Sequence, residues 1–231
     1  MMETPALIYD RLWLEAKGAF ERGTPQLDLN LADKTKDLRR GVTLILQPTE
    51  WVKGEISRFV DSLSREFPSQ YYYRPEEYHV SVLSILSGIE SWQGQMERVD
   101  ACRTVIARSL SKEPPFRVKF QGVTASTGAV MIQGFPVDDG LARLRDKLRV
   151  ILTNEGFGDM LDRRYRLIAA HITVMRFYKP EQNWKHLAEL VKVNRQRNFG
   201  EVKVNKLLLT FGDWYASTDN TQLLQAFDLT D

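Results

Sequence analysis

Two short stretches, Tyr78-His79-Val80-Ser81-Val82 and Ala170-His171-Ile172-Thr173-Val174, decide how this chain reads. After its first residue each runs histidine, aliphatic, hydroxyl, aliphatic. Side chains on an extended strand alternate between faces. His79 and Ser81 therefore share one face while Val80 and Val82 share the other, and His171 and Thr173 stand likewise against Ile172 and Val174. Each strand buries an aliphatic stripe and presents an imidazole beside a hydroxyl. The chain has only three histidines, and chance would put two of them in this setting in roughly one sequence in a thousand. The third, His186, follows Lys185 on a predicted helix, lacks a hydroxyl two residues on, and reads as a surface residue.

Outward from these strands the chain keeps a regular rhythm. Pro5 to Arg22 has apolar residues at helical spacing and is stopped by Gly23, Thr24 and Pro25, after which a polar run to Arg40 reads as irregular wrapping. Residues 1–40 are thus expected to form an N-terminal helical extension and 41–231 the main domain. Strands are predicted over 41–47, 78–86, 116–123, 129–135 and 165–177, and helices over 50–67, 91–110, 139–155 and 181–193. The stretches 202–214 and 222–229 read as two strands of a closing hairpin. This order is that of an α+β protein with mainly antiparallel sheets. It runs twice, each half placing a helix before a histidine strand and a helix and hairpin after it.

Composition narrows the function classes. The chain has 231 residues, 43% hydrophobic and 27% charged, with 32 Lys+Arg against 30 Asp+Glu, the balance of a globular protein rather than a disordered one. One cysteine, Cys102, excludes an intrachain disulfide and any thiolate zinc cage. No histidine or acidic cluster has metal-ligand spacing, so neither metal nor cofactor is expected. Apolar runs fall far short of the roughly 20 residues a membrane span needs, and Glu3, Asp10, Arg11 and Glu15 interrupt the first twenty residues, unlike a signal peptide. The expectation is a reduced, cytoplasmic protein with no membrane contact and no obligate protein partner. A net charge of +2 accommodates a phosphate ligand without implying one.

The residue types point to acid–base chemistry. With a reference pKa near 6.5, two imidazoles can hold opposite protonation states around neutrality. One takes a proton from the nucleophile while the other gives one to the leaving oxygen, and neighbouring hydroxyls donate to non-bridging phosphate oxygens. Such a set suits in-line phosphodiester cleavage. Tyr71, Tyr72 and Tyr73 with Arg74 form a candidate aromatic and basic lip, Tyr73 having the parity of His79. Tyr165, Met175 and Phe177 share the parity of His171, whereas strict alternation puts Arg176 on the opposite face. Arg163, Arg164 and Arg166 form a basic cluster before the second strand. Glu76 and Glu77 are adjacent, so at most one can face the cleft and orient an imidazole.

Here the chain resembles the 2H phosphoesterase superfamily, which includes the 2′-5′ RNA ligase-like proteins and cyclic nucleotide phosphodiesterases. RPEEYHVSVLSIL at 74–86 is similar to the first motif of the family, with Ser81 where threonine is commoner, and AAHITVMRF at 169–177 is similar to the second. The position that matches Arg176 in the first motif is Ser84. The resemblance implies a bilobal α+β fold, two small mainly antiparallel sheets about a pseudo-twofold axis with helices outside and a central cleft. It implies His79 and His171 as the acid–base pair and Ser81 and Thr173 as phosphate-binding residues; Tyr73, Arg74 and Phe177 from the strand reading, and Arg176 from the second motif, are the further candidate substrate contacts. The implied activity is metal-independent hydrolysis of a cyclic phosphate or of a nucleotide or RNA-end phosphodiester. The alternatives are a module that binds such a ligand without turnover, or 2′-5′ ligation of RNA.

Overall fold

The computed structural model describes residues 3–162 and 167–230. Thr4 caps the first helix, α1 (Pro5–Arg22), by accepting from Leu7 N, and Gly23 ends it in the left-handed conformation at φ 68°. β1 (Arg40–Leu46) follows, then α2 (Glu50–Glu66), capped by Thr49 and burying Val52, Ile56, Phe59, Val60 and Leu63 on one face. The chain continues through β2 (Tyr71–Tyr72), β3 (Val80–Ile89), α3 (Met96–Leu110), β4 (Phe116–Ser126), β5 (Ala129–Pro136) and α4 (Gly140–Leu152). It closes with β6 (Ile172–Arg176), α5 (Trp184–Val193), β7 (Asn198–Val204), β8 (Lys206–Asp213) and β9 (Gln222–Asp228). None of the described helices is long and apolar enough to cross a membrane.

The fold is α+β and bilobal. Among the described residues the strands form a four-stranded sheet, β3-β1-β8-β9, and a five-stranded sheet, β2-β6-β5-β4-β7, with every pairing antiparallel. Each sheet carries one of the two histidine strands. The sheets do not, however, follow the two sequence halves. The β4–β5 hairpin, expected to complete the first half, lies in the sheet of β6, while β8 and β9 join β1 and β3. The stretch 202–214, expected as one strand, divides at Asn205, β7 pairing with β4 and β8 with β1 and β9. The alternation of Val202 and Val204 breaks at the polar pair Asn205-Lys206 and resumes out of phase at Leu207 and Leu209, and that break marks the crossing.

Bulges in both histidine strands decide which side chains reach the space between the sheets. Against β1, Leu83 pairs with Leu44 and Ser81 with Ile45, so Val82 is the extra residue; a second shift leaves Ile85 extra between Leu86 and Ser84. Against β5, Met175 pairs with Val130 and Thr173 with Met131, so Val174 is extra. A bulge resets the parity of a strand. Ser81, Ser84 and Ser87 consequently share a face that simple alternation would deny them, and Thr173 shares one with Arg176.

β6 starts later than the strand predicted at 165–177, because side chains replace a strand partner before it. Tyr9 Oη, from α1, donates to Gly134 O at 3.0 Å and accepts from Gly134 N at 3.0 Å and Ala170 N at 3.2 Å. A Cβ at position 134 would run into the Ala170 carbonyl, so glycine is what lets the chains approach here. The helix of residues 1–40 is packed on the five-stranded sheet, with Ala16 and Phe20 in the core and Phe20 stacked on Trp184. Residues 163–166, with the predicted basic cluster and Tyr165, lie outside the described residues.

Candidate active site

Between the sheets lies a cleft of about 200 Å³ whose lining includes His79, Ser81 and Ser84 from the β3 side and His171, Thr173 and Arg176 from the β6 side. Both histidines stand one residue ahead of their strands. Here the imidazole is not committed to strand pairing, while the next residue, Val80 or Ile172, is buried and anchors the backbone.

The His79 ring is oriented through the main chain. Its Nδ1–H donates to the Glu77 carbonyl oxygen at 2.7 Å. A carbonyl only accepts, so this bond sets the tautomer and leaves Nε2 as the proton acceptor. Glu77 is itself held: its buried carboxylate accepts from Arg74 N at 2.8 Å and from Thr218 N at 3.0 Å. Glu77 thus orients the imidazole by its backbone, while its side chain anchors the turn that aims the backbone. Burial pulls the His79 pKa below its usual 6.5.

His171 is poised differently. Its Nδ1 is buried and has no hydrogen-bond partner among the described residues. Burial first, then the positive charges of Arg145 and the neighbouring His79 and Arg176, pulls its pKa down to about 4. Both rings are therefore neutral at neutral pH. An anion between them opposes that shift, because a nearby negative charge favours the imidazolium.

Arg176 completes the β6 side. Its Nε donates to Tyr73 Oη at 2.7 Å, and its guanidinium lies 5.8 Å from the centre of the Tyr215 ring. The Val174 bulge brings it here, against the expectation from strict alternation. Tyr73 lines the cleft as its parity suggested. Phe177 does not: it is fully buried, edge-on to Phe20 and Trp184 at 5.6 and 5.0 Å between ring centres. The bulge that turns Arg176 toward the cleft turns Phe177 into the core. Arg74 is also absent from the cleft lining, since Asp219 at 2.9 Å and Glu77 at 3.3 Å take its guanidinium. His186 is half exposed, 3.5 Å from Glu66, outside the cleft.

Two parts of the site escape the sequence pattern. One is the 213–221 loop, where Asp213 accepts from Tyr215 N and Ser217 N at 3.0 Å each and from the Ser217 hydroxyl, holding Trp214 and Tyr215 at the cleft wall. Asp28, from the polar run after α1, accepts from Tyr215 Oη at 3.1 Å, so that run braces the wall from behind. The other is Arg145. It occupies the inward stripe of α4 with Leu141, Leu144 and Leu148, and an arginine on an apolar stripe is the signal that could have found it.

No family model matches the chain, and no curated protein matches it in sequence. Solved structures do match. The crystal structure of TT0787 of Thermus thermophilus has a TM-score of 0.61 at 16% identity, over 82% of this chain and 97% of that one. E. coli LigT complexed with 3′-AMP has a TM-score of 0.56 at 14% identity, over 84% and 99%. A structure described as a phosphoesterase has 0.55 at 13%, again over 84% and 99%. With two antiparallel sheets that each bring a histidine strand to a shared cleft, the chain has the bilobal α+β fold of these proteins.

Proposed function

We propose that the protein is a phosphoesterase that hydrolyses a 2′,3′-cyclic phosphate or a related nucleotide or RNA-end phosphodiester by two-histidine acid–base catalysis. The observation that carries this reading is the convergence of His79, Ser81, His171 and Thr173 from separate sheets on one cleft, with Arg176 beside them. E. coli LigT, whose fold the chain shares, is described in complex with 3′-AMP, a ligand of the kind such a cleft would take.

In this reading the phosphate lies between the rings, its non-bridging oxygens accepting from the Ser81 and Thr173 hydroxyls and facing the Arg176 charge. The bare Nε2 of His79 removes a proton from water as the water oxygen bonds to phosphorus. The opposite P–O bond breaks, its electron pair staying on the leaving ribose oxygen, which takes a proton from His171. The product is a phosphomonoester with a free hydroxyl. His171 acquires the proton it gives when the anionic substrate arrives and lifts its pKa.

The test is to offer the protein 2′,3′-cyclic nucleotides and to follow the phosphomonoester product. Hydrolysis that is lost in His79→Ala and in His171→Ala supports the reading. Tight binding with no product over long incubation would replace it with a binding module, and full activity in the double variant would end it.

A further inference from the structure

Arg145 projects from α4 with only 3% of its surface exposed. Its guanidinium reaches two strands that belong to different sheets. Nε donates to Val82 O at 3.0 Å and Nη2 to Ser81 O at 2.7 Å, both on β3. Nη2 also donates to Ala169 O at 3.1 Å and Nη1 to Ile168 O at 3.1 Å, on the run that leads into β6. Three of these four carbonyls, those of Val82, Ile168 and Ala169, lie outside the strand pairing. Val82 is the bulge that lacks a partner on β1, and residues 168 and 169 precede the pairing of β6. A buried carbonyl without a donor is costly, and one planar fork with several fixed donors serves all four.

We propose that Arg145 is a positioning residue that clamps the bulge of β3 to the lead-in of β6 and so sets the separation and angle of His79 and His171. Ser81 stands two residues after His79, and Ala169 two residues before His171, so the clamp grips both strands within one residue pair of the reacting groups. What that spacing serves rests on the function proposed above; the clamp itself is a property of the folded chain. The charge of Arg145 also faces His171, with His79 from β3 and Arg176 from its own strand, while Tyr73, Asp162, Asp213 and Tyr215 line the same cleft. Arg145 thereby adds to burial in keeping His171 neutral until an anion arrives.

The test compares Arg145→Lys, which keeps the charge and loses the fork, with Arg145→Met, which loses both. Each is assayed for kcat and KM on a 2′,3′-cyclic nucleotide, and the imidazole signals of His79 and His171 are titrated by NMR in the ligand-free protein. Misplacement of reacting groups by an ångström costs about 100-fold in rate, so kcat is expected to fall by about that factor in both variants with KM little changed. The His171 pKa is expected to stay low in the Lys variant and to rise in the Met variant while burial still holds it below 6.5. A wild-type kcat in the Lys variant overturns the proposal, as does an unchanged His171 titration in the folded Met variant. Should the Met variant fail to fold, the kcat of the Lys variant decides alone. If the wild-type protein hydrolyses no cyclic nucleotide, the functional reading fails, and displaced imidazole signals in the Lys variant still support the clamp while unmoved ones reject it.

Discussion

Ser84 and Arg176 occupy the same place on the two histidine strands, each five residues past its histidine and each brought to the cleft by a bulge at the third residue, Val82 or Val174. The two strands are therefore alike in backbone and unlike in charge at one position. The cleft has a cationic end at β6 and a row of hydroxyls, Ser81, Ser84 and Ser87, along β3. A substrate with one anionic group and one neutral, hydroxyl-rich group meets that polarity in a single orientation.

Arg176→Gln removes the cationic end. A hydrogen bond to a charged group contributes about 1.5–3 kcal/mol, so KM for a cyclic nucleotide is expected to rise about 10- to 100-fold. Tyr73→Phe, which removes only the acceptor that steers Arg176, should raise KM by less. Steady-state kinetics of the two variants check both values and their order.

His79→Asn and His171→Asn keep the size and polarity of the rings and abolish proton transfer. General acid–base catalysis contributes about 10²–10⁴-fold, and kcat should fall by that range in each variant with the thermal midpoint retained. Single-turnover rates on a 2′,3′-cyclic nucleotide measure the loss.

The depressed histidines give a pH signature of known sign. Between pH 6.5 and about 4 the unfolded chain takes up a proton that folded His171 refuses, so stability rises with pH there. The contribution of His171 is full above 6.5 and is lost as pH falls toward 4, and His79 shifts in the same direction. Urea unfolding across this range should show the decline, and His171→Asn should flatten it. Catalysis needs neutral His79 with protonated His171, so kcat/KM should peak below pH 6.5. The kcat profile, reporting the anion-bound cleft, should peak at higher pH.

Chelation should leave the rate unchanged, because the base, the acid and the charge that faces the phosphate are all assigned to side chains of the cleft. Among the described residues no group of three or more His, Cys, Asp or Glu is arranged to hold a metal ion. Assay before and after dialysis against EDTA is the measurement, and a rate restored only by a divalent cation would contradict the assignment.

Phe177 and Arg74 separate core from cleft. Phe177→Ala empties a site between Phe20 and Trp184, and such truncations cost about 3–5 kcal/mol, so the thermal midpoint should fall while KM of the folded protein is kept. Arg74→Ala breaks an exposed ion pair with Asp219 of the kind worth about 1 kcal/mol or less, while the buried Glu77 carboxylate keeps its backbone donors at Arg74 and Thr218. It should alter neither stability nor KM appreciably. Calorimetry with kinetics on both variants checks the division.

The histidine strands, the helices and the α+β class are legible because each rests on local periodicity, which the sequence carries directly. What is not legible rests on pairing. Val82 and Val174 look like ordinary inward residues, and only their lack of a partner across the sheet makes them bulges, so strict alternation puts Arg176 on the wrong face and Phe177 in the wrong environment. The division at Asn205 shows in the sequence only as a two-residue polar break, Asn205-Lys206, which does not reveal that β8 leaves for the other sheet. Arg145 hides inside the charged run RLRDKLR, although its spacing from Leu141 and Leu148 places it on the inward stripe. Tyr9 and Asp28 act across more than a hundred residues, on Ala170 and Tyr215, a distance at which no local pattern speaks.

The crossing of β8 has a consequence for how the molecule comes into being. β1 pairs with β3 on one side and with β8 on the other, so the sheet that carries His79 joins residues 40–46 to residues 206–213. A nascent chain that has delivered both histidines still lacks the strand that completes this sheet, and an isolated pair of strands is marginal in water. Such long-range pairing makes for a high contact order and slow folding. The sheet of His79 is therefore completed only when β8 is made, and a break between the sequence halves would part β1 and β3 from β8 and β9.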